Sequence, residues 1–155
     1  MRVNFVCWGN ICRSPMAERV AQGWAEREGL HDVTFTSSGV STEERGNPID
    51  PRAQRVLARN GFSTGGHRAH QITAREIDEA DLVIAMEEHH LSRLRRLAPD
   101  ASNLALLTDF DPDATPGSGV PDPWYGAASG FDDTLAAIEA AMPGVLQRVR
   151  ELGAS

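Results

Sequence analysis

The chain has 155 residues, 41% hydrophobic and 24% charged, which predicts one globular domain spanning residues 1–155. Its net charge of −7 argues against a general nucleic-acid-binding protein, because contacts with a phosphate backbone need a basic surface. All 15 basic residues are arginines, so a Walker-type phosphate loop, which needs a lysine, is excluded. No apolar run approaches the roughly 20 residues that span a bilayer. We expect a cytoplasmic protein that binds neither nucleic acid nor membrane.

Short apolar runs rich in β-branched residues alternate with segments of helical periodicity. The predicted strands cover residues 3–6, 33–37, 81–86 and 103–107. The predicted helices cover residues 15–28, the stretch from Pro51 to Gly61, a segment with Leu91, Leu94 and Leu97 on one face, and residues 131–152, where Pro143 is a candidate kink. This alternation predicts an α/β fold with a mostly parallel sheet and helices on both faces, flavodoxin-like or Rossmann-like in its three layers.

Residues 108–130 form the only long stretch without periodicity. A loop of that length inside a compact domain is usually functional. Such folds bind ligands at the carboxyl ends of their strands. We therefore expect this loop to contribute to a site at that edge of the sheet.

The turn between the first strand and the first helix reads CWGNICRSP, from residue 7 to residue 15. Ser14 followed by Pro15 predicts a helix start with Ser14 as its N-cap. The turn then wraps a helix N-terminus, whose unpaired N–H groups and dipole favour an anion. Gly9 is expected to adopt a backbone conformation that other residues resist. The planar fork of Arg13 suits two phosphate oxygens, so we predict a phosphate-binding loop.

Cys7 lies at the floor of this predicted loop, where N–H donors, Arg13 and the helix dipole favour a thiolate. A thiolate beneath a bound phosphate is placed for in-line attack at phosphorus. This interpretation requires no metal and no cofactor. The alternative is a buried cysteine in an ordinary turn, and zinc is disfavoured because the two cysteines have no fitting pair of histidines.

The chemistry also needs a proton donor, and the loop at 108–130 offers four aspartates. Asp122 is the best candidate because Pro121 and Pro123 stiffen it, whereas Asp111 before Pro112 is typical of an ordinary turn. Trp124 and Tyr125 follow directly and could flank an aromatic substrate.

Six motifs resemble those of the low-molecular-weight protein tyrosine phosphatases, in the family's order and over nearly the whole chain. They are VCWGNICRSPMAE (6–18), TSSG (36–39), GNPIDPRA (46–53), GHRAHQI (66–72), ADLVIAM (80–86) and PDPWYG (121–126). The resemblance implies a four-stranded parallel sheet and hydrolysis of phosphotyrosine, or of other aryl phosphate monoesters, through a cysteinyl-phosphate. It implies Cys7 as nucleophile, Arg13 as phosphate clamp and Asp122 as general acid, then base.

The resemblance also implies supporting roles. Asn10 and Ser14 would brace the loop with Ser37 and His67 as hydrogen-bonding partners, and Cys12 would trap oxidised Cys7 as a reversible disulfide. The alternative role for Cys12 is that of a small buried residue that packs the loop. The residues expected to bind substrate are Trp8, Gly9, Asn10, Ile11, Cys12, Ser14, Trp124 and Tyr125.

Three positions depart from the family pattern. The aromatic wall usually found before the GNP stretch is absent, and Glu43 stands nearest that position. We hypothesise that Trp8 partly replaces the wall and that Glu43 or Glu44 disfavours acidic substrates. His70 replaces an arginine and Glu87 replaces an aspartate, so no role is carried over to either.

Three other functions remain as alternatives. An arsenate reductase of the same fold would need further cysteines, and the chain has none after Cys12. A phosphoarginine phosphatase typically carries threonine at the position of Ile11. A non-catalytic phosphotyrosine-binding module would need neither Cys7 nor Asp122. The expected partner is a phosphotyrosine-containing protein or a small aryl phosphate, and we expect a monomer, with a weak dimer as the alternative.

Overall fold

The computed structural model describes residues 1–154, in which four parallel strands form one sheet. The strands are β1 (Arg2–Cys7), β2 (Thr34–Gly39), β3 (Leu82–Ala85) and β4 (Leu104–Leu106). Their order in the sheet is β2-β1-β3-β4, and each neighbouring pair is parallel. The predicted α/β fold and all four predicted strands are therefore confirmed, with shifts of one or two residues at most ends.

In the same described residues, five α-helices and two short 3₁₀ turns pack around the sheet. The helices are α1 (Arg13–Arg27), α2 (Pro51–Arg59), α3 (Ala74–Glu79), α4 (Glu88–Leu97) and α5 (Gly130–Ala154), and the 3₁₀ turns are Leu107–Phe110 and Pro123–Tyr125. Helix α3 was not predicted, because six residues are too few to show periodicity. Its start carries a capping box, in which Thr73 and Glu76 exchange side-chain-to-backbone hydrogen bonds.

The two faces of the sheet bury separate apolar clusters. Alternate residues of β1 point to opposite sides, so Phe5 packs with α1, α2 and α5 while Val6 packs with α3 and α4. The predicted helix with Leu91, Leu94 and Leu97 is α4, in which Leu91 and Leu94 are buried, whereas Leu97, the last residue of the helix, is 43% exposed. Helix α5 continues through Pro143 and was correctly predicted as one helix.

The strand order reverses direction between β1 and β3, since β2 lies beyond β1 and β4 lies beyond β3. Loops that follow these central strands leave the sheet on the same edge, where open α/β folds bind ligands. Within residues 1–154, no helix combines the length and apolar character that crossing a membrane requires.

Candidate active site

A cavity of about 440 Å³ opens at the carboxyl end of β1. It is lined by Cys7, Trp8, Gly9, Ile11, Cys12, Arg13, Glu43, Glu44, Asp122, Trp124 and Tyr125. The structure thus brings the three predicted catalytic residues into one pocket. Two predicted substrate-binding residues, Asn10 and Ser14, are fully buried, and their side chains lie behind the loop instead of lining the pocket.

The thiol of Cys7 forms the floor, is 3% exposed, and lies 3.0 Å from the hydroxyl of Ser14. The prediction that Ser14 caps α1 is wrong. The helix begins at Arg13, and the N-cap residue Cys12 makes no side-chain cap. The Ser14 hydroxyl accepts a hydrogen bond from Asn10 Nδ2 at 2.9 Å, so its own proton is available to the sulfur or to the Ser38 carbonyl.

Asn10 is the centre of the hydrogen-bond network behind the loop. Its φ of 61° is the only left-handed value among the non-glycine residues that the structure describes. Its Nδ2 donates to the hydroxyls of Ser14 and Ser37, and its Oδ1 accepts from the His70 backbone N–H. The expectation that Gly9 supplies the unusual backbone is therefore wrong: asparagine tolerates this region, and Gly9 instead leaves room for Glu44.

His67 and Glu18 complete this network from opposite sides. His67 Nε2 donates to the Asn10 carbonyl at 2.6 Å, and burial lowers the pKa of His67 despite that hydrogen bond. Ser37 donates to the buried carboxylate of Glu18 at 3.1 Å. Because Glu18 only accepts, it fixes the direction of the chain that runs through Ser37 and Asn10 to Ser14. Sequence reasoning missed Glu18, although it closes the quoted motif at residues 6–18.

The backbone N–H groups of Gly9 to Arg13 donate to no acceptor within residues 1–154. Arg13, itself 2% exposed, extends across the pocket. Its guanidinium donates to the Val120 carbonyl at 2.7 Å, pairs with Glu87 at 3.1 Å and lies 3.6 Å from Asp122 Oδ2. Unpaired donors and a buried cation together form an anion-binding pocket.

Glu87, to which the sequence assigned no role, lies beside Arg13 and two histidines. Burial alone would raise the pKa of Glu87, but the charge of Arg13 and hydrogen bonds from His89 and Arg13 lower it. Sequence reasoning missed the ion pair between Glu87 and Arg13, because the family pattern has an aspartate at this position and no role was carried over to the glutamate. The longer side chain still reaches the guanidinium.

His90 is fully buried against Glu87, and burial together with the charge of Arg13 lowers its pKa to about 3. Its Nδ1 accepts the Glu87 backbone N–H at 3.1 Å, so Nε2 carries the proton. Donor atoms of Glu87, His89 and His90 lie within 4.8 Å of one another. That proton occupies the nitrogen a metal would need, so the cluster is better suited to holding Arg13 than to binding an ion.

Asp122 also lines the pocket. Its Oδ1 accepts the Trp124 backbone N–H at 3.0 Å, which leaves Oδ2 directed toward Arg13. Trp124 is 42% exposed and Tyr125 is 90% exposed. The guanidinium of Arg52 lies 5.0 Å from the centroid of the Trp124 ring, which is a cation–π contact. Trp124 and Tyr125 therefore give the pocket an aromatic side, and Arg52 packs against its tryptophan.

Cys12 is 6% exposed and lines the pocket. Burial, followed by the charges of Asp50 and Cys7, raises the pKa of the Cys12 thiol well above its usual range. Both cysteines are free thiols. The redox role of Cys12 stays a prediction.

Trp8, within the phosphate loop, contacts the segment that carries Glu43. Its indole N–H donates to Glu43 Oε2 at 3.0 Å, and the Arg93 guanidinium lies 4.9 Å from its ring centroid. Gly39, the last residue of β2, approaches the same turn, and a Cβ there would lie 2.8 Å from the Trp8 carbonyl oxygen. Apart from the quoted TSSG motif, nothing in the sequence indicated that this position requires glycine.

Comparisons with known proteins agree with this geometry. The family model for low molecular weight phosphotyrosine protein phosphatase matches residues 2–154. A low molecular weight protein-tyrosine-phosphatase of Streptomyces coelicolor is 45% identical over 155 residues, covering 97% of this chain and 94% of that protein. The crystal structure of YfkJ from Bacillus subtilis gives a TM-score of 0.91 at 32% identity, covering 97% of this chain and 95% of that one. The structure of a drosophila arginine phosphatase gives a TM-score of 0.89 at 26% identity, covering 96% and 98% of the two chains.

Proposed function

The chain belongs to the low molecular weight phosphotyrosine protein phosphatase family, and on that basis we propose the roles of its residues in hydrolysing phosphotyrosine on proteins. It is a hydrolase of phosphate monoesters. The observation that supports the mechanism is the convergence of Cys7, Arg13 and Asp122 on one cavity.

In the first step, the N–H groups of the loop and the guanidinium of Arg13 bind the phosphoryl oxygens. The thiolate of Cys7 attacks phosphorus, so an S–P bond forms as the bond to the phenolic oxygen breaks. Asp122 gives its proton to the leaving phenolate. The Ser14 hydroxyl, 3.0 Å from the sulfur, stabilises the thiolate before attack.

In the second step, a water molecule attacks the phosphocysteine, and Asp122 accepts its proton. The S–P bond breaks, which regenerates the Cys7 thiolate and releases inorganic phosphate. Trp124 and Tyr125 are placed to flank the aromatic ring of the substrate.

A pH–rate profile with an aryl phosphate, run on wild type and Cys7→Ser, tests the mechanism. The variant should lose about 10⁴-fold or more in kcat, because serine at this position has no general base to activate it. Mass spectrometry of quenched wild-type enzyme should detect phosphate on the peptide that contains Cys7. Full activity in Cys7→Ser would exclude the proposed nucleophile.

Phosphoarginine is the second candidate substrate, because the fold also resembles that of an arginine phosphatase. Ile11, which lines the pocket at 8% exposure, favours an aryl group instead. We expect wild type to prefer phosphotyrosine peptides over phosphoarginine peptides, and Ile11→Thr to narrow the difference. A wild-type preference for phosphoarginine would reverse the assignment.

A further inference from the structure

Two carboxylates at the mouth of the pocket have no cationic partner within residues 1–154. Glu43 accepts a hydrogen bond from the Trp8 indole at 3.0 Å, and Glu44 accepts one from the Asn47 amide at 2.7 Å. Both donors are neutral, so the two negative charges are uncompensated. Asp122, which lines the same pocket, instead lies 3.6 Å from a guanidinium nitrogen of Arg13.

The segment that carries these carboxylates is attached to the phosphate loop. The backbone N–H and the hydroxyl of Ser41 both donate to the Trp8 carbonyl, at 3.1 and 2.9 Å. The side chain of Glu44 lies against Gly9, where a Cβ would lie 3.2 Å from Glu44 Cγ. The carboxylates are therefore held at a fixed place beside the phosphate site.

The cations nearby do not neutralise this pair. Arg52 pairs with Asp50 at 3.1 Å, and Arg93 lies over the ring of Trp8. Arg45 is exposed and forms no ion pair with Glu43 or Glu44. A substrate that brings an acidic group here meets repulsion, whereas a cation beside the phosphotyrosine gains two partners.

We propose that Glu43 and Glu44 select protein segments with arginine or lysine next to the phosphotyrosine. This inference rests on the proposed function, and it names the substrate class for the same site. An ion pair between a substrate cation and Glu43 or Glu44 would be partly exposed to solvent. Its contribution to binding should therefore be that of an exposed ion pair. We expect a preference of about three- to tenfold in kcat/KM for basic over neutral flanking residues.

Three phosphotyrosine peptides of equal length test the proposal, with two arginines, two glutamines or two glutamates flanking the phosphotyrosine. Initial rates of phosphate release give kcat/KM for wild type and for the double variant Glu43→Gln/Glu44→Gln. In wild type the order should be arginine, glutamine, glutamate, and in the double variant the three values should converge. The ratio is taken within one enzyme preparation, so a general change in activity cancels.

The variant Glu26→Gln/Asp78→Asn is the matched control, because it removes two exposed carboxylates that do not line this pocket. It should keep the wild-type order of peptides. Higher ionic strength should shrink the wild-type ratio, since exposed charges are screened. Equal rates with all three peptides in wild type, or equal ratios in wild type and the Glu43/Glu44 variant, would overturn the preference alone. Hydrolysis of none of the peptides would overturn the proposed function itself.

Discussion

Behind the phosphate loop, Asn10 and Ser14 are fully buried, and the polar atoms of both side chains have partners. At the mouth of the same pocket, Tyr125 is 90% exposed, and the carboxylates of Glu43 and Glu44 contact only neutral donors. In the first region the side-chain positions are tightly fixed, because several hydrogen bonds depend on Asn10. The second region has few constraints, so its residues can differ between relatives without disturbing the phosphate site.

Replacing the general acid should have the largest effect among the variants below. Asp122→Asn keeps the shape of the side chain but cannot donate the proton, so kcat for aryl phosphates should fall about 10²- to 10⁴-fold. The loss should shrink as the leaving phenol becomes more acidic, because such a group needs less protonation. Steady-state kinetics with a series of substituted phenyl phosphates measures this dependence. An equal loss across the series would indicate a structural effect.

The next largest effect should come from removing the hydrogen bonds of Asn10 behind the phosphate loop. Asn10→Ala removes three side-chain hydrogen bonds and places a Cβ-bearing residue without polar compensation at a φ of 61°. We expect a loss of about 2–4 kcal/mol in the free energy of unfolding and about 10²-fold in kcat/KM, from misplacement of Cys7.

Asn10→Gly separates the two causes, because glycine tolerates the backbone conformation but lacks the hydrogen bonds. It should recover about 1 kcal/mol of stability relative to Asn10→Ala, without recovering activity. Urea denaturation and kinetics of both variants check this. Activity near wild type in either variant would show that the side chain is dispensable.

His90, which is buried against Glu87, predicts a pH dependence of stability. Its pKa of about 3 in the fold lies below the ordinary value of 6.5, so between these pH values the unfolded chain binds the proton and the folded protein does not. Stability present above pH 6.5 should therefore be lost as the pH falls toward 3. The slope for one proton is about 1.4 kcal/mol per pH unit.

His90→Asn should flatten that slope between pH 6 and pH 4, measured by urea denaturation at several pH values. His67, whose pKa is also lowered, adds to the slope in both proteins and cancels in the comparison. His31→Asn, at an exposed position outside the cluster of Glu87, His89 and His90, is the control and should retain the wild-type slope. Parallel slopes for wild type and His90→Asn would contradict the assignment.

The smallest effects should come from the mouth of the pocket. Trp8→Thr should lower kcat/KM for aryl phosphates about three- to tenfold, because an aromatic wall is lost. Trp8→Phe keeps an aromatic ring, although a smaller one, and loses the hydrogen bond to Glu43, so its effect should be smaller still. Unchanged kcat/KM in Trp8→Thr would refute the hypothesis that Trp8 replaces the missing wall.

The sequence was informative where local chemistry determines structure. The strand, the turn and the Ser14-Pro15 pair identified a phosphate loop, because helix starts and anion binding depend on neighbouring residues. It misled about which residues do what inside the loop: Ser14 faces Cys7 instead of capping α1, and Asn10, not Gly9, takes the left-handed conformation. Those choices depend on partners at Ser37 and His70, which only the folded sheet brings near.

Contacts between residues far apart in the chain could not be predicted from the sequence. The Val120 carbonyl carries no chemical signature, yet it accepts a hydrogen bond from Arg13 across 107 positions of the chain. Glu87 was set aside as a departure from the family pattern, although it pairs with the same arginine. Cys7, Arg13 and Asp122 were predicted from their local sequence, and the family resemblance selected the same three residues.

The hydrogen bond from Arg13 to Val120 also matters for protein design. Val120 donates its own N–H to the Met86 carbonyl, and Asp122 follows two residues later. Transplanting residues 7–14 alone onto another α/β scaffold would transfer a cradle for phosphate but leave the arginine without its anchor. A working graft would have to move three chain segments together, at residues 7–14, 86–87 and 120–122, as one discontinuous module.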